Sequence, residues 1–182
     1  GERLAVDPNN PDILFCGTRK NGLWKSNDRG STWSKISSVE APSNNEGICF
    51  VLFDKSRSSG GVTQRIYIGM SVTGDNLYVS DDAGSSWKLI ALPTLSKPVM
   101  PQRGVLTPGG KYLYLTTANG AGPGFGNNTT ITRGALLRYD TENKTWKDIS
   151  PENWIDDPPD PEHPGQTIWD AHFGGYGGIS MD

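Results

Sequence analysis

The sequence predicts an all-β chain, a segment of a β-propeller with four-stranded antiparallel blades, about three of them plus the start of a fourth. Three observations carry that expectation. A turn pattern, S-x-D-x-G-x-x-W, occurs at Ser26-Asn27-Asp28-Arg29-Gly30-Ser31-Thr32-Trp33 and again at Ser80-Asp81-Asp82-Ala83-Gly84-Ser85-Ser86-Trp87. A worn third copy, Tyr139-Asp140-Thr141-Glu142-Asn143-Lys144-Thr145-Trp146, keeps only the Trp and the hairpin spacing, so the three Trp recur 54 and 59 residues apart, near one blade length. Finally, 23 Gly and 13 Pro suit many short strands joined by turns better than helices.

Each unit reads as four strands. The first is the most apolar in two of the three units: Leu4-Ala5-Val6-Asp7, Ile48-Cys49-Phe50-Val51-Leu52-Phe53, and Gly104-Val105-Leu106. The second is Ile13-Leu14-Phe15-Cys16-Gly17, Ile66-Tyr67-Ile68-Gly69 and Tyr112-Leu113-Tyr114-Leu115. The third precedes each turn, as Leu23-Trp24-Lys25, Leu77-Tyr78-Val79 and Leu136-Leu137-Arg138. The fourth follows it, from Trp33 to Ile36, Trp87 to Ile90 and Trp146 to Ile149. That order is a blade read from its inner to its outer strand. The units span approximately residues 1–36, 47–90 and 104–149, and residues 177–182 open the next one. Blades stack on their neighbours, so both ends of the segment are expected to expose an apolar face. The chain begins at Gly1 without Met or leader, which reads as an excised piece of a longer protein.

The turn motif has a structural reading and a catalytic one. In the structural reading Ser26, Asp28, Gly30 and Trp33 form one staple, and Ser80, Asp82, Gly84 and Trp87 another. The carboxylates accept backbone N–H bonds within the turn, the glycines sit at positive φ, and the Trp rings are buried against the blade. The catalytic reading makes Asp28 and Asp82 an acid–base pair, yet they belong to different blades, too far apart to flank one bond.

Strand order assigns the connections to two faces. Turns joining first to second and third to fourth strands share the face that carries the S-x-D-x-G-x-x-W turns, or Asp-boxes; the other connections share the opposite face. That opposite face carries the long loops 37–47, 91–103, 116–135 and 150–177, while the loop 54–65 lies on the Asp-box face. Long loops on a rigid scaffold are where binding residues concentrate. Asn119, Trp169, His172, Phe173 and Tyr176 are the substrate-binding candidates, with Trp154 nearby. Aromatic faces stack on the C–H faces of sugars, and polar groups meet the hydroxyls. Packing of these rings under their own loops is the plain alternative.

Other chemistries find little support. A net charge of −3 offers no basic stripe, which argues against nucleic acid. No apolar run approaches the roughly 18 residues that span a bilayer. His163 and His172 are the only histidines, so no metal site or cofactor is expected. The glycine-rich stretch from Asn119 to Gly126 lacks the Lys-Ser/Thr of a phosphate loop, and no nucleophile elbow is present. Cys16 and Cys49 sit in apolar runs, as buried thiols do; a disulfide between them is not deducible. Asn127, Asn128 and Asn143 head N-x-T triplets, glycan acceptors in a secreted chain.

The opening Gly1-Glu2-Arg3-Leu4-Ala5-Val6-Asp7-Pro8-Asn9-Asn10 and Asn21-Gly22-Leu23-Trp24-Lys25-Ser26 resemble glycoside hydrolase family 74. So do Asn119-Gly120-Ala121-Gly122-Pro123 and Phe173-Gly174-Gly175-Tyr176-Gly177-Gly178, in the same order. The resemblance implies a secreted enzyme with two propellers facing each other across a cleft for xyloglucan or a related β-glucan. It implies inverting cleavage of the β-1,4-glucan backbone by two aspartates, one upstream of Gly1 and one in the second propeller, neither matched here. This segment, with no catalytic residue of its own, would supply groove wall, and its partners would be the remaining blades and the second propeller. The pattern departs from the family at Met70-Ser71-Val72-Thr73-Gly74, where Asp is expected in place of Val72, and in the Pro-rich stretch around Asp156 to Gly165. Two other readings stay open: a sialidase, with Arg19, Arg103 and Arg133 as candidates to grip a carboxylate, and a non-catalytic propeller that binds protein partners.

Overall fold

The computed structural model describes residues 3–40, 47–72, 74–95, 99–118 and 134–150. Among them the first sheet is β1 (Leu4–Asp7), β2 (Asn10–Gly17), β3 (Leu23–Ser26) and β4 (Ser34–Ile36), hydrogen-bonded in that order. The second sheet opens with β5 (Ile48–Phe53). A small hairpin of β6 (Ser58–Ser59) and β7 (Val62–Thr63) follows, and then β8 (Ile66–Met70), β9 (Leu77–Ser80) and β10 (Lys88–Leu89) complete the sheet in the order β5-β8-β9-β10. The third sheet is β11 (Met100–Leu106), β12 (Tyr112–Ala118), β13 (Gly134–Asp140) and β14 (Thr145–Asp148), again in sequence order. Neighbouring strands within each sheet are antiparallel. No described residue is helical.

The sheets stack face to face. One apolar layer, with Phe15, Leu23, Ile48, Val51, Ile66 and Ile68, lies between the first and second sheets. A second layer, with Phe50, Tyr67, Leu77, Leu113, Leu115 and Leu137, lies between the second and third. The middle sheet is covered on both faces, so β5 and β8 are continuous apolar runs, whereas β13 alternates buried and half-buried residues. A register shift between Ile48 and Phe50 sends Cys49 and Phe50 to the same layer, leaving Ile48 and Val51 for the other. The first strands touch from sheet to sheet, β1 on β5 and β5 on β11, as inner strands around an axis do.

Three details differ from the sequence reading. β11 starts at Met100, ahead of the expected Gly104, and takes up its extra length in a register shift between Pro101 and Arg103. Trp33 is not buried: the residue is 37% exposed and its indole N–H donates to Gly30 O at 3.0 Å. Trp87 is half-buried because the first sheet covers it, with Phe15 edge-on at a ring-centroid distance of 6.4 Å. Among the described residues nothing covers Trp33 in that way, and Leu4 and Val6 on the first strand are exposed too. Cys16 and Cys49 are free thiols, Cys49 buried and donating to Pro101 O at 3.3 Å.

Candidate functional site

The Ser and Asp side chains make the same set of bonds in both Asp turns. Ser26 Oγ accepts the Gly30 N–H at 2.8 Å and donates to Asp28 Oδ1 at 2.8 Å. Asp28 then accepts the Thr32 N–H at 2.8 Å and the Thr32 hydroxyl at 2.6 Å. In the second turn Ser80 Oγ accepts the Gly84 N–H at 2.8 Å and donates to Asp82, which takes the Ser86 N–H and hydroxyl. Two consecutive residues are left-handed in each turn, Arg29 (φ 58°) with Gly30 (86°) and Ala83 (57°) with Gly84 (84°). The Ser86 hydroxyl, followed by the Ser86 N–H, holds the Asp82 carboxyl down to about 2. The Thr32 hydroxyl and N–H hold Asp28 below the usual carboxylate range in the same manner. A carboxylate so stabilised in its ionised form is a poor general base, and its lone pairs are already committed to the turn.

The third turn, which in sequence keeps only the Trp and the hairpin spacing, has a staple of its own. Asp140 accepts the N–H groups of Glu142 at 3.0 Å and Asn143 at 2.9 Å, and the Asn143 side-chain amide at 3.0 Å. The carboxylate has moved one position earlier than in the S-x-D pattern, which is why that pattern does not find it. Trp146 stacks against Tyr139 at 4.7 Å and donates its indole N–H to Ala91 O of the preceding unit at 2.9 Å.

Contacts between sheets were invisible to a reading by repeats. Asp7, at the end of β1, is buried and accepts the Thr63 N–H at 2.9 Å and the Thr63 hydroxyl at 2.5 Å from the hairpin of the second sheet. Asn9 donates to Thr63 Oγ1 at 2.9 Å and to Lys55 O at 3.2 Å. Lys25 donates to Ala83 O at 3.0 Å, and burial lowers its ammonium pKa against the opposing pull of Asp7 and Asp82. The signal that could have found this set is the Asp-Pro-Asn run after β1, a turn-former whose carboxylate needs donors. Two of its donors come from a residue 56 positions away.

The opposite edge is equally stitched. Thr18 O accepts the Ile48 N–H at 3.1 Å, and Gly47 O accepts the Ser71 N–H at 3.0 Å. At Gly47 a Cβ would come within 2.2 Å of Arg19 Cα, so the two chains cross where only glycine fits. Asn76 is buried and donates to Val72 O at 2.8 Å and Val99 O at 3.2 Å, which ties the loop holding Val72 to the connection leading into β11. Val72 itself packs half-buried against the first apolar layer. The binding candidates Asn119, Trp169, His172, Phe173 and Tyr176 lie outside the described residues, as do Trp154 and Arg133.

Four-stranded antiparallel sheets stacked face to face, with first strands innermost, define a β-propeller protein. No family model matches the chain. Over 202 residues, all of this chain and 21% of the relative, it is 39% identical to a xyloglucanase of Hypocrea jecorina (strain QM6a). The structure of a Niastella koreensis GH74 enzyme matches with a TM-score of 0.72 and 50% identity, covering 83% of this chain and 21% of that one. The GH74 xyloglucanase of Xanthomonas campestris matches with a TM-score of 0.70 and 32% identity, covering 91% of this chain and 24% of that one. The chain belongs to glycoside hydrolase family 74. It spans about a fifth of the length of the curated relatives it matches.

Proposed function

We propose that the protein containing this chain is a secreted glycosidase that cleaves the β-1,4-glucan backbone of xyloglucan with inversion. This segment supplies groove wall, and the catalytic acid and base lie elsewhere in the protein. The observation that carries the reading is 39% identity to a xyloglucanase across the whole of this chain. Inverting hydrolysis needs two carboxyl groups roughly 6.5–9.5 Å apart, one to protonate the leaving oxygen and one to activate water. Asp28, Asp82 and Asp140 do not suit either task, since each is held in its ionised form by hydrogen bonds inside its own turn. The loops 116–135 and 150–177 are the segments proposed to meet the polysaccharide, through Asn119, Trp169, His172, Phe173 and Tyr176.

A panel of polysaccharides and sialosides incubated with the full-length protein tests the reading. Release of oligosaccharides with new reducing ends from xyloglucan is the expected result. Activity confined to sialosides, or to no glycan, would overturn it. Within that assay, Trp169→Ala and Tyr176→Ala are expected to lower kcat/KM by the equivalent of about 1–3 kcal/mol if the rings stack on sugar.

A further inference from the structure

The second strand of each sheet carries one aromatic residue at the same place. Phe15, Tyr67 and Tyr114 stand opposite Lys25, Val79 and Arg138 on the third strands of their own sheets. Phe15 is buried in the apolar layer between the first and second sheets, and Tyr67 in the layer between the second and third. Each ring therefore faces the sheet that follows its own. Tyr114 lies between Leu113 and Leu115, which face the second sheet, so alternation turns it onto the far face of the third.

The residue paired with the aromatic tracks the turn that the pair meets. Lys25 Nζ lies 5.3 Å from the centroid of the Phe15 ring and donates to Ala83 O at 3.0 Å. Ala83 is the first of the two left-handed residues in the second Asp-box; Gly84 is the other, and the Phe15 ring occupies the space that a side chain there would need. A ring and a cation from one sheet thus grip the left-handed pair of the next. Val79 offers no cation, and the turn of the third sheet offers no such pair. Glu142 and Asn143 stand at the two positions, and Lys144 alone in that turn has a positive φ.

The far face of the third sheet brings back the first combination. Tyr114 is half-buried and is paired with Arg138, whose guanidinium carbon lies 4.8 Å from the centroid of the Tyr112 ring. Tyr112 and Tyr114 meet edge to face at 6.4 Å. Val105, opposite Tyr114 on β11, and Leu136 on β13 are half-buried on the same face.

We propose that this face seats the next blade of the same protein, and that this blade carries a regular Asp-box turn. Arg138 donates to the carbonyl of the left-handed residue before the turn glycine, and Tyr114 lies over the glycine. Continuity with the two sheet-to-sheet interfaces already described selects the occupant, and the chain spans only 21% of the Hypocrea jecorina relative. The inference rests on the stacking of the sheets and not on the catalytic reading.

The test uses the full-length protein with p-benzoylphenylalanine placed at Tyr114, irradiated and mapped by mass spectrometry. The expected product is a cross-link within one molecule, independent of protein concentration, to an S-x-D-x-G-x-x-W segment downstream of residue 182. Hydrogen exchange is followed in the parent, Arg138→Met and Arg138→Lys. Loss of the charge-assisted bond in Arg138→Met is expected to speed exchange of the downstream turn about tenfold and to leave the Asp82 turn unchanged. Arg138→Lys is expected to keep the parent rate, since Lys25 serves in the first sheet. A thermal melt verifies folding of each variant, and each of the two measurements decides without the other. A cross-link that grows with concentration, which would mean a second copy, would overturn the proposal. So would a cross-link to a segment without the motif, no cross-link at all, or equal exchange in the three folded proteins.

Discussion

At Gly84 two demands meet in one residue. Its φ of 84° lies in the left-handed region, and a Cβ there would come within 2.5 Å of the Phe15 ring in the first sheet. Gly30 has the same φ class, but its Cβ would meet only Trp33, at 3.6 Å. Gly84→Ala is therefore expected to cost about 3–5 kcal/mol, backbone strain plus overpacking, and Gly30→Ala about 1–3 kcal/mol. Urea unfolding of the two variants of this chain checks the difference, and equal costs would contradict the packing term. Asp82 makes a separate expectation. Its folded pKa, about 2, lies below the unfolded value near 3.9, so its stabilisation is fully present above about pH 4 and is lost as pH falls toward 2. The gap in melting temperature between the parent and Asp82→Ala should accordingly narrow from about pH 5 to about pH 2. A gap that stayed constant would mean that the carboxylate charge contributes nothing to the turn. At this scale the sequence was highly legible: the Ser, Asp and Gly of both turns could be named from the pattern, because all their bonds are local. Trp33 and Trp87 were not distinguishable, because burial depends on which sheet lies against each ring.

The hairpin of β6 and β7 shows what an element adds. In sequence, residues 54–65 are a long polar connection, an exception on the face that otherwise carries tight turns. In the structure they reach back to the preceding sheet, where Thr63 binds Asp7 through backbone and side chain. Thr63→Ala should remove the hydroxyl from a buried carboxylate and destabilise the chain by about 1–3 kcal/mol. Asp7→Asn should cost less in the Thr63→Ala background than alone, since the two groups share one interaction. Denaturant unfolding of the four proteins of that cycle measures the coupling, and strict additivity would show that the strap is incidental. The third sheet lacks this hairpin, and Asp54, which follows β5 as Asp7 closes β1, keeps one buried oxygen without a partner among the described residues.

At the scale of the whole molecule, the turn carboxylates Asp28, Asp82 and Asp140 are committed to hydrogen bonds within their own turns. The 182-residue chain alone is expected to release no reducing ends from xyloglucan above a blank, since general acid–base catalysis needs a pair of carboxyls set across one bond. In the full-length protein Asp82→Ala should lower the melting temperature while leaving turnover per folded molecule nearly unchanged. Turnover by the isolated chain, or a folded Asp82→Ala protein without activity, would return the turn aspartates to consideration as catalysts. Leu4, Val6 and Trp33 of the first unit are exposed, whereas Trp87, the counterpart of Trp33 in the second, is covered by Phe15.

The sequence by itself determined the class of fold, the four-strand repeat and its order, and the chemistry of the two regular turns. Those features rest on period-two patterning and on bonds spanning four residues or fewer, so they are written locally. Tertiary structure decided how one unit meets the next: Asp7 on Thr63, Lys25 on Ala83, and Phe15 over Gly84. These contacts join residues dozens of positions apart, and their partners are set by the stacking of sheets. A repeat pattern treats Asp7 and Asp54 alike because it records one unit at a time. Only the stacked sheets separate them, since a donor from the next unit reaches the first carboxylate and not the second.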